Sequence, residues 1–428
     1  MRRRAMVRGR PPRHHLIPMQ SAAPAVGTRL SVMMFLQFFI WGSWYVTVGN
    51  FIKANGWTDD DVGWAYQVGP IAAVLSPVFL GMVADRFFAS ERVLAAMHLL
   101  GGAILLLLPG IASSGAEGAS ATFGWMLLGY MLCYMPTLGL SNTVAFHNIT
   151  DQERQFPIVR VFGTLGWIAA NVVVSKVLEA DKLALQFQVA GGASILLGAF
   201  SLSLPHTPPP AKGQAVAVPD LLGLRAVGLM RDPSFLVFML ASFLICIPLA
   251  AYYAFAPIYV DATAFDNPGF TMSFGQWAEV VFMLLMPWFF ARLGVKWMLA
   301  VGMLAWVVRY GLFAAAADEQ IRWMVLGGIL LHGICYDFFF VTGQIYVDKV
   351  APRELRGQAQ GFLVLMTQGL GLGLGAKLAT ELKKGFTTTA AGGTESVDWS
   401  RIWLYPALFA GIVLLVFVAV FRDRRPAA

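Results

Sequence analysis

A soluble domain is roughly a quarter charged residues, but this chain of 428 residues is 13% charged and 57% hydrophobic, with a mean hydropathy of +0.65. One aqueous core cannot hide so much apolar surface, so lipid must cover much of it. The net charge of +7 builds no solvated patch for nucleic acid: seven of the 31 Lys and Arg residues lie in the first 29 positions, and most others sit in short loops between apolar runs, as on the cytoplasmic face of a membrane protein.

The chain begins with a basic tail, 1–29 (Arg2, Arg3, Arg4, Arg8, Arg10, Arg13 and Arg29). The apolar run from Leu30 to Ile52 that follows is too long for a signal-peptide core and has no clear cleavage site. An uncleaved first helix is therefore expected, with a mitochondrial transit reading of the acid-free head as the alternative. A span needs about 20 mainly apolar residues, which predicts crossings near 30–52, 62–84, 92–112, 122–145, 158–178 and 185–205. A proline-rich break at 206–232 (Thr207-Pro208-Pro209-Pro210, then Lys212-Gly213-Gln214) reads as a cytoplasmic linker. Six more spans follow near 233–260, 272–292, 296–317, 322–346, 357–379 and 401–421, then a short tail, 423–428. The expected fold is thus an all-α membrane protein of twelve helices in two six-helix bundles, 30–205 and 233–422. With the N-terminus in the cytoplasm, 21 of the 31 basic residues fall on the inner side and eight on the outer, so both termini are expected inside.

The halves echo one another weakly. Pro77 precedes Asp85-Arg86 and Arg92 as Pro287 precedes Arg292 and Lys296, and Arg160 opens the fifth span as Arg356 opens the eleventh. With the six-plus-six count, this fits the parallel halves of a major-facilitator-type transporter. Gly81-Met82-Val83-Ala84-Asp85-Arg86 resembles that superfamily's loop signature between helices 2 and 3, which implies a conformational gate at Asp85 and Arg86. Simple positive-inside charge explains Arg86 but leaves Asp85 unexplained.

Four ionisable residues lie well inside predicted spans: Arg160, Glu279, Arg309 and Asp337. An unpaired charge there costs on the order of 2.5–3.5 kcal/mol on insertion scales, so these groups must face the bundle interior, pair, or lose their charge. At 100° per residue, His332, Tyr336, Asp337, Phe340 and Gln344 share one stripe of helix 10. Arg160, Thr164 and Trp167 do so on helix 5, Gln276 and Glu279 on helix 8, and Gln37, Trp41 and Trp44 on helix 1. Aromatic faces mixed with amides and carboxylates suit a planar, polar, uncharged ligand. Bland roles compete: the tryptophans as interface anchors, Gln37 and Gln276 as interhelical glue, Thr164 bonding its own helix, Arg160 snorkelling, His332 merely packed, and Arg309 as a counter-ion. Asp337 and Glu279 resist that reading. Desolvation penalises the charged carboxylate, so proton uptake on one side and release on the other would couple proton flow to transport.

Other chemistry fails to assemble. Cys133, Cys246 and Cys335 sit in apolar runs with no metal spacing and read as buried thiols. The glycine run Gly369–Gly375 lies in a span and follows no strand, so Gly371 and Gly375 suggest close helix contact in place of a nucleotide loop. No nucleophile–histidine–acid set, zinc spacing or P-loop appears; no enzyme is expected, and no cofactor beyond a coupling proton.

Several blocks together resemble the bacterial nucleoside:proton symporters of the major facilitator superfamily, over Phe35 to about Arg422. They are Phe35-Leu36-Gln37-Phe38 with Trp41-Gly42-Ser43-Trp44; Tyr134-Met135-Pro136-Thr137-Leu138-Gly139-Leu140 with Asn142-Thr143; Phe156-Pro157 with Arg160 and Gly163-Thr164; and Tyr336-Asp337-Phe338-Phe339. The resemblance implies a nucleoside site with its proton coupling at Arg160, Thr164, Gln276, Glu279 and Asp337, with aromatic neighbours Trp167, Tyr336 and His332. Where the family carries amides on helix 7, this chain has Ala250 and Tyr253, which leaves the cargo open between a nucleoside and another small polar molecule such as a sugar or nucleobase. A transport-inactive receptor is a third reading. The resemblance further implies a monomer in the bacterial inner membrane.

Overall fold

Hydrocarbon offers no water to unpaired backbone groups, so a chain that crosses it must close its hydrogen bonds within helices or barrels. The computed structural model, which describes residues 24–79, 87–150, 152–209, 224–352, 355–389 and 395–423, is helical almost throughout. In order, the helices are α1 (Pro24–Gly42), α2 (Val48–Ala54), α3 (Asp59–Phe79), α4 (Ser90–Ala112), α5 (Ala119–Asn148), α6 (Gln152–Asn171) and α7 (Leu185–Ser201). After a 3-10 turn at Leu224–Arg231 come α8 (Pro233–Ala262), α9 (Pro268–Ala316), α10 (Arg322–Val350), α11 (Gln358–Gly385) and α12 (Trp399–Val420). Among the described residues, nine helices are long and apolar enough to cross a membrane. A two-stranded antiparallel ribbon, Thr387–Thr389 with Glu395–Val397, lies between α11 and α12.

Local chemistry sets the helix starts. Thr58 and Asp61 bond each other's backbone N–H reciprocally at the head of α3. The Asp232 carboxylate accepts from the N–H groups of Ser234 and Phe235, with Pro233 in the first turn of α8. Asp398 accepts from Arg401 N–H at 3.0 Å to start α12.

Three expected spans take a different form. The first, 30–52, is interrupted: α1 ends at Gly42, and α2 resumes at Val48. Ser43 Oγ bonds back to the Phe39 carbonyl at 2.7 Å, a competitor to helix continuation. The eighth and ninth run on as α9, broken only at Gly294 (φ 65°, ψ −179°), a conformation essentially confined to glycine. Three helices also carry π turns, Val172–Val177, Tyr336–Val341 and Leu365–Gly371. The free thiols of Cys133, Cys246 and Cys335 are buried, and Gly371 and Gly375 lie against Cys246 and Ile247 of α8. Asp85 and Arg86 fall outside the described residues, as does most of the 206–232 linker.

Within the N-terminal part, α1 packs on α6 and α4 on α5 and α7; within the C-terminal part, α9 packs on α10 and α12, and α8 on α11 and α12. The closest approach that shapes the interior is α6 on α1. A Cβ on Gly166 would stand 2.1 Å from the Phe35 carbonyl oxygen. Only glycine permits that spacing, nearly two turns from Arg160 and beside Trp167. A Gly166→Ala protein is therefore expected to lose about 1–3 kcal/mol, read as a lower melting temperature in detergent; an unchanged melting temperature would show that the helices separate freely.

Candidate functional site

The N- and C-terminal parts meet through α3 with α11, α2 with α8, and α6 with α9. Between them lies a cavity of about 720 Å³, counting its open mouth, lined by Phe38 and Trp41 of α1, Tyr45 of the turn that follows it, Arg160, Thr164 and Trp167 of α6, Tyr253 of α8, Gln276 and Glu279 of α9, His332 and Tyr336 of α10, and Gln368 of α11.

Aromatic rings form its N-terminal wall. Trp41 and Trp167 stand edge to face with centroids 5.5 Å apart, and Tyr45 packs on both, at 5.3 and 6.2 Å. Tyr45 also reaches across to Tyr253, at 5.9 Å. The Arg160 guanidinium lies 4.3 Å over the Phe38 ring, so it sits in the cavity wall and does not snorkel to the surface. On the opposite wall, His332 stacks on Tyr252 at 5.6 Å and 16°, and the Arg309 guanidinium lies 4.0 Å from the centre of the same Tyr252 ring. Arg309 is fully buried and donates through Nε to the Gly328 carbonyl. Among the described residues no ion pair joins any two of Arg160, Glu279, Arg309 and Asp337, although the charges of Arg160 and Glu279 act on each other, as do those of Glu279 and Asp337.

Several buried polar atoms in and behind this lining have no hydrogen-bond partner: Trp41 Nε1, Trp167 Nε1, His332 Nδ1 and both carboxylate oxygens of Asp337. Such atoms are costly unless a ligand, a proton or water meets them. The arrangement can stack a flat ring against indole and phenol faces while amide, carboxyl, imidazole and guanidinium groups bond its edges.

Nine residues expected from the sequence line the cavity: Trp41, Arg160, Thr164, Trp167, Tyr253, Gln276, Glu279, His332 and Tyr336. Two do not, and both displacements have local causes. Gln37 is fully buried behind the wall, donating to Thr137 Oγ1 at 2.7 Å and bonded through Oε1 to His98 Nε2 at 2.8 Å. The lining stripe of the first span is Phe38, Trp41, Tyr45, one residue round from the expected face, and Trp44 is buried against Tyr130 and Phe187. Phe340 packs on Trp306 at 5.7 Å and on Tyr336, because the π turn starting at Tyr336 breaks the 100° phase assumed for α10. Asp337, in the same turn, is wholly buried just behind the lining. Sequence reasoning missed Phe38, Tyr45 and Gln368. The only signal for Gln368 was a lone amide in the apolar stretch from Phe362 to Leu374, which the surrounding glycines obscured.

At one end of the molecule a polar clasp joins the two parts. Lys383 Nζ lies 2.6 Å from Asp59 Oδ2, with 1% and 8% of the two side chains exposed, and Lys53 lies 3.3 Å from the other Asp59 oxygen and from Glu395. Lys384 pairs with Asp60, and Lys182 with Asp261 at 2.8 Å. Ser175 Oγ donates to Asp181 at 2.6 Å and accepts from Phe270 N–H at 2.9 Å, while Asp181 also accepts from Gly269 N–H. Burial raises the Asp181 carboxyl above its ordinary range, partly offset by these donors.

The sequence profile of the nucleoside H+ symporter family matches residues 25–425. YegT of Escherichia coli K12 is 39% identical over 404 residues, covering 92% of this chain and 93% of that one. The xanthosine permease of the same organism is 32% identical, covering 93% and 95%. The crystal structure of the nucleoside transporter NupG superposes with a TM-score of 0.80 at 29% identity, over 93% of this chain and all of that one. The chain therefore belongs to the nucleoside H+ symporter family and is a transporter of the major-facilitator type, not an enzyme.

The Gln37 network predicts a separation of effects. Gln37→Leu strands His98 and Thr137 and is expected to cost about 1–3 kcal/mol of stability, seen in thermal unfolding. Thr164→Val, at the cavity surface, is expected to leave the melting temperature within about a degree or two. Equal losses in both would place Gln37 among the surface-lining groups.

Proposed function

We propose that this member of the nucleoside H+ symporter family imports nucleosides across the bacterial inner membrane together with protons, the two halves alternating access to the cavity between them. The observation that carries the reading is the cavity wall itself, with aromatic faces set at steep angles around unpartnered donors. A nucleoside is a flat ring joined to a hydroxyl-rich sugar, without net charge. Trp41, Trp167 and Tyr45 offer the ring faces and edges. Gln276, Gln368, Thr164, His332 and Arg160 offer groups for base edges and sugar hydroxyls. Of the two α8 positions without amides, Ala250 packs against Gly375, while Tyr253 joins the lining. Gln276 and Gln368 from neighbouring helices supply the amides the wall would otherwise lack.

Glu279 and Asp337 are the proposed proton-coupling pair, with no cofactor beyond the proton. Glu279 touches the cavity, and Asp337 sits behind it without a donor. A buried carboxylate with no counter-ion is expensive, so proton arrival and departure there track which side admits water. Cargo binding beside Glu279 then biases the same equilibrium, which is the physical content of symport.

The finer architecture follows from length. At about 1.5 Å per residue, the 49 residues of α9 extend some 73 Å, over twice a hydrocarbon core of about 30 Å. The reversal at Gly294 lets it cross twice. Counting α7 and α3 as spans and α1 with α2 as one gives twelve crossings in two six-helix bundles, working as a monomer, with both termini in the cytoplasm by the bias of basic residues. In that orientation the clasp of Asp59, Lys53 and Lys383 closes the outer side.

The decisive measurement is uptake of labelled uridine and adenosine into proteoliposomes, with and without an inward proton gradient. Accumulation above equilibrium is expected only with the gradient, and Trp167→Ala is expected to weaken uptake affinity about five- to tenfold through the lost stacking. Uptake of sugars alone, or of nothing, would overturn the nucleoside reading in favour of another cargo or a receptor. Asp337→Asn is expected to abolish uphill accumulation while sparing downhill exchange; an Asp337→Asn protein that still concentrates nucleoside in a proton-dependent way would sink the coupling role. Breaking a buried pair costs about 3–5 kcal/mol, so Lys383→Met is expected to favour the outward-open state. Faster labelling of a cysteine placed at Tyr253 by an impermeant maleimide added outside checks this, and unchanged labelling would remove the clasp from the gate.

A further inference from the structure

A second cavity, about 1740 Å³ counting the solvent it opens to, lies at the end of the molecule opposite the clasp. It is bounded by the Gly294 reversal of α9, the C-terminal end of α10 and the residues following α12. Four cations converge on it: Arg292, Lys296, Lys349 and Arg422. Among the described residues none of the four has a carboxylate within ion-pair distance. Asp348, next to Lys349, is committed to Arg356 at 3.5 Å, and Asp423 on the rim is the one acid in the lining. The positive-inside rule accounts for basic residues at this end, but not for unpaired ones gathered around one hollow.

The surroundings say what fits. Arg292 is held by stacking, its guanidinium 3.8 Å over Trp288 with Nη1 donating to the Trp288 carbonyl. Lys296 donates to the Val418 carbonyl at 2.8 Å, and Lys349 lies 4.9 Å over the Phe290 ring. The floor is apolar, with Phe290, Val295 and Tyr346. Trp288 and Trp297 are 53% and 52% exposed beside it, as tryptophans at a membrane–water interface are. Two guanidiniums suit the paired oxygens of a phosphate diester, and the apolar floor and flanking indoles suit the glycerol and upper acyl carbons joined to it. We propose that this hollow is a binding site for the headgroup of an anionic phospholipid, such as phosphatidylglycerol, seated between α9, α10 and the C-terminal tail. The site stands apart from the transport cavity and does not depend on the cargo.

The test uses full-length protein in neutral detergent, titrated with phosphatidylglycerol, phosphatidylcholine or sodium phosphate, with lipid adducts counted by native mass spectrometry. Phosphatidylglycerol is expected to bind at least tenfold more tightly than phosphatidylcholine. At about 1 kcal/mol, or fivefold, per surface cation, the double variant Arg292→Gln with Lys349→Gln is expected to weaken it about twenty-fivefold. Lys377→Gln, an exposed cation elsewhere, is expected to bind as the parent does. Equal binding of the two lipids, or an unaffected double variant, overturns the proposal, and displacement of the lipid by phosphate alone reassigns the site to a free anion. Should the double variant not fold, quenching of the unaltered protein by phosphatidylglycerol with brominated chains decides. The quenching is expected to fall when Trp288 and Trp297 are replaced by phenylalanine, and its persistence in that variant excludes this hollow.

Discussion

A polar side chain inside a hydrocarbon layer has three choices: a partner on another helix, a place at a water-filled hollow, or removal of its charge. The arrangement of this protein follows from how its few polar groups divide among those choices. His98, Gln37, Thr137 and Ser194 satisfy one another and lock α1, α4, α5 and α7 together. Arg309 takes a carbonyl and an aromatic face and fixes α9 against α10 through Gly328. What is left over, including Glu279, Gln276, Gln368, Arg160 and the indole nitrogens, collects at the space between the halves. Among the described residues other buried polar atoms also lack partners, among them Arg309 Nη1 and Nη2 and Trp306 Nε1, but only at this space do so many polar side chains of both parts face one cavity.

The two walls of that cavity differ in kind. The N-terminal wall is a cluster of rings braced from behind, with Tyr134 donating to the Gln37 carbonyl and its ring tilted on Trp41. The C-terminal wall carries both carboxyls, and two of its helices contain π turns at the residues that matter, Tyr336–Val341 and Leu365–Gly371. A wall of rings facing a wall that carries the carboxyls suits a carrier that must grip a flat molecule and still register a proton. The family assignment and the geometry therefore point the same way from independent directions.

Much of this was legible in the chain before any coordinates. Composition and the spacing of apolar runs determine the spans, because lipid demands about the same length of every helix. The mid-span charges mark the interior because nowhere else tolerates them. Phase was less legible. The first span presents Phe38 and Tyr45 where periodicity favoured Gln37, since a buried amide bonded at both ends, to Thr137 and His98, gains more behind the wall than at it. Phe340 left its predicted stripe because a π turn adds a residue to the helix, and no residue type announces such a turn. Gln368 was hidden by the glycines around it, whose pattern speaks of helix contact. The clasp was visible only as scattered charges at span ends, for pairing between Asp59 and Lys383 joins residues 324 positions apart.

That clasp has two electrostatic regimes. Lys384 with Asp60 and Lys182 with Asp261 have open side chains, between 30% and 65% exposed, and ions in the surrounding fluid screen such pairs over a Debye length of about 8–10 Å at ordinary ionic strength. Lys383 and Asp59 are shielded from that atmosphere by the helices around them. Added salt is therefore felt at the rim of this clasp and barely at its centre.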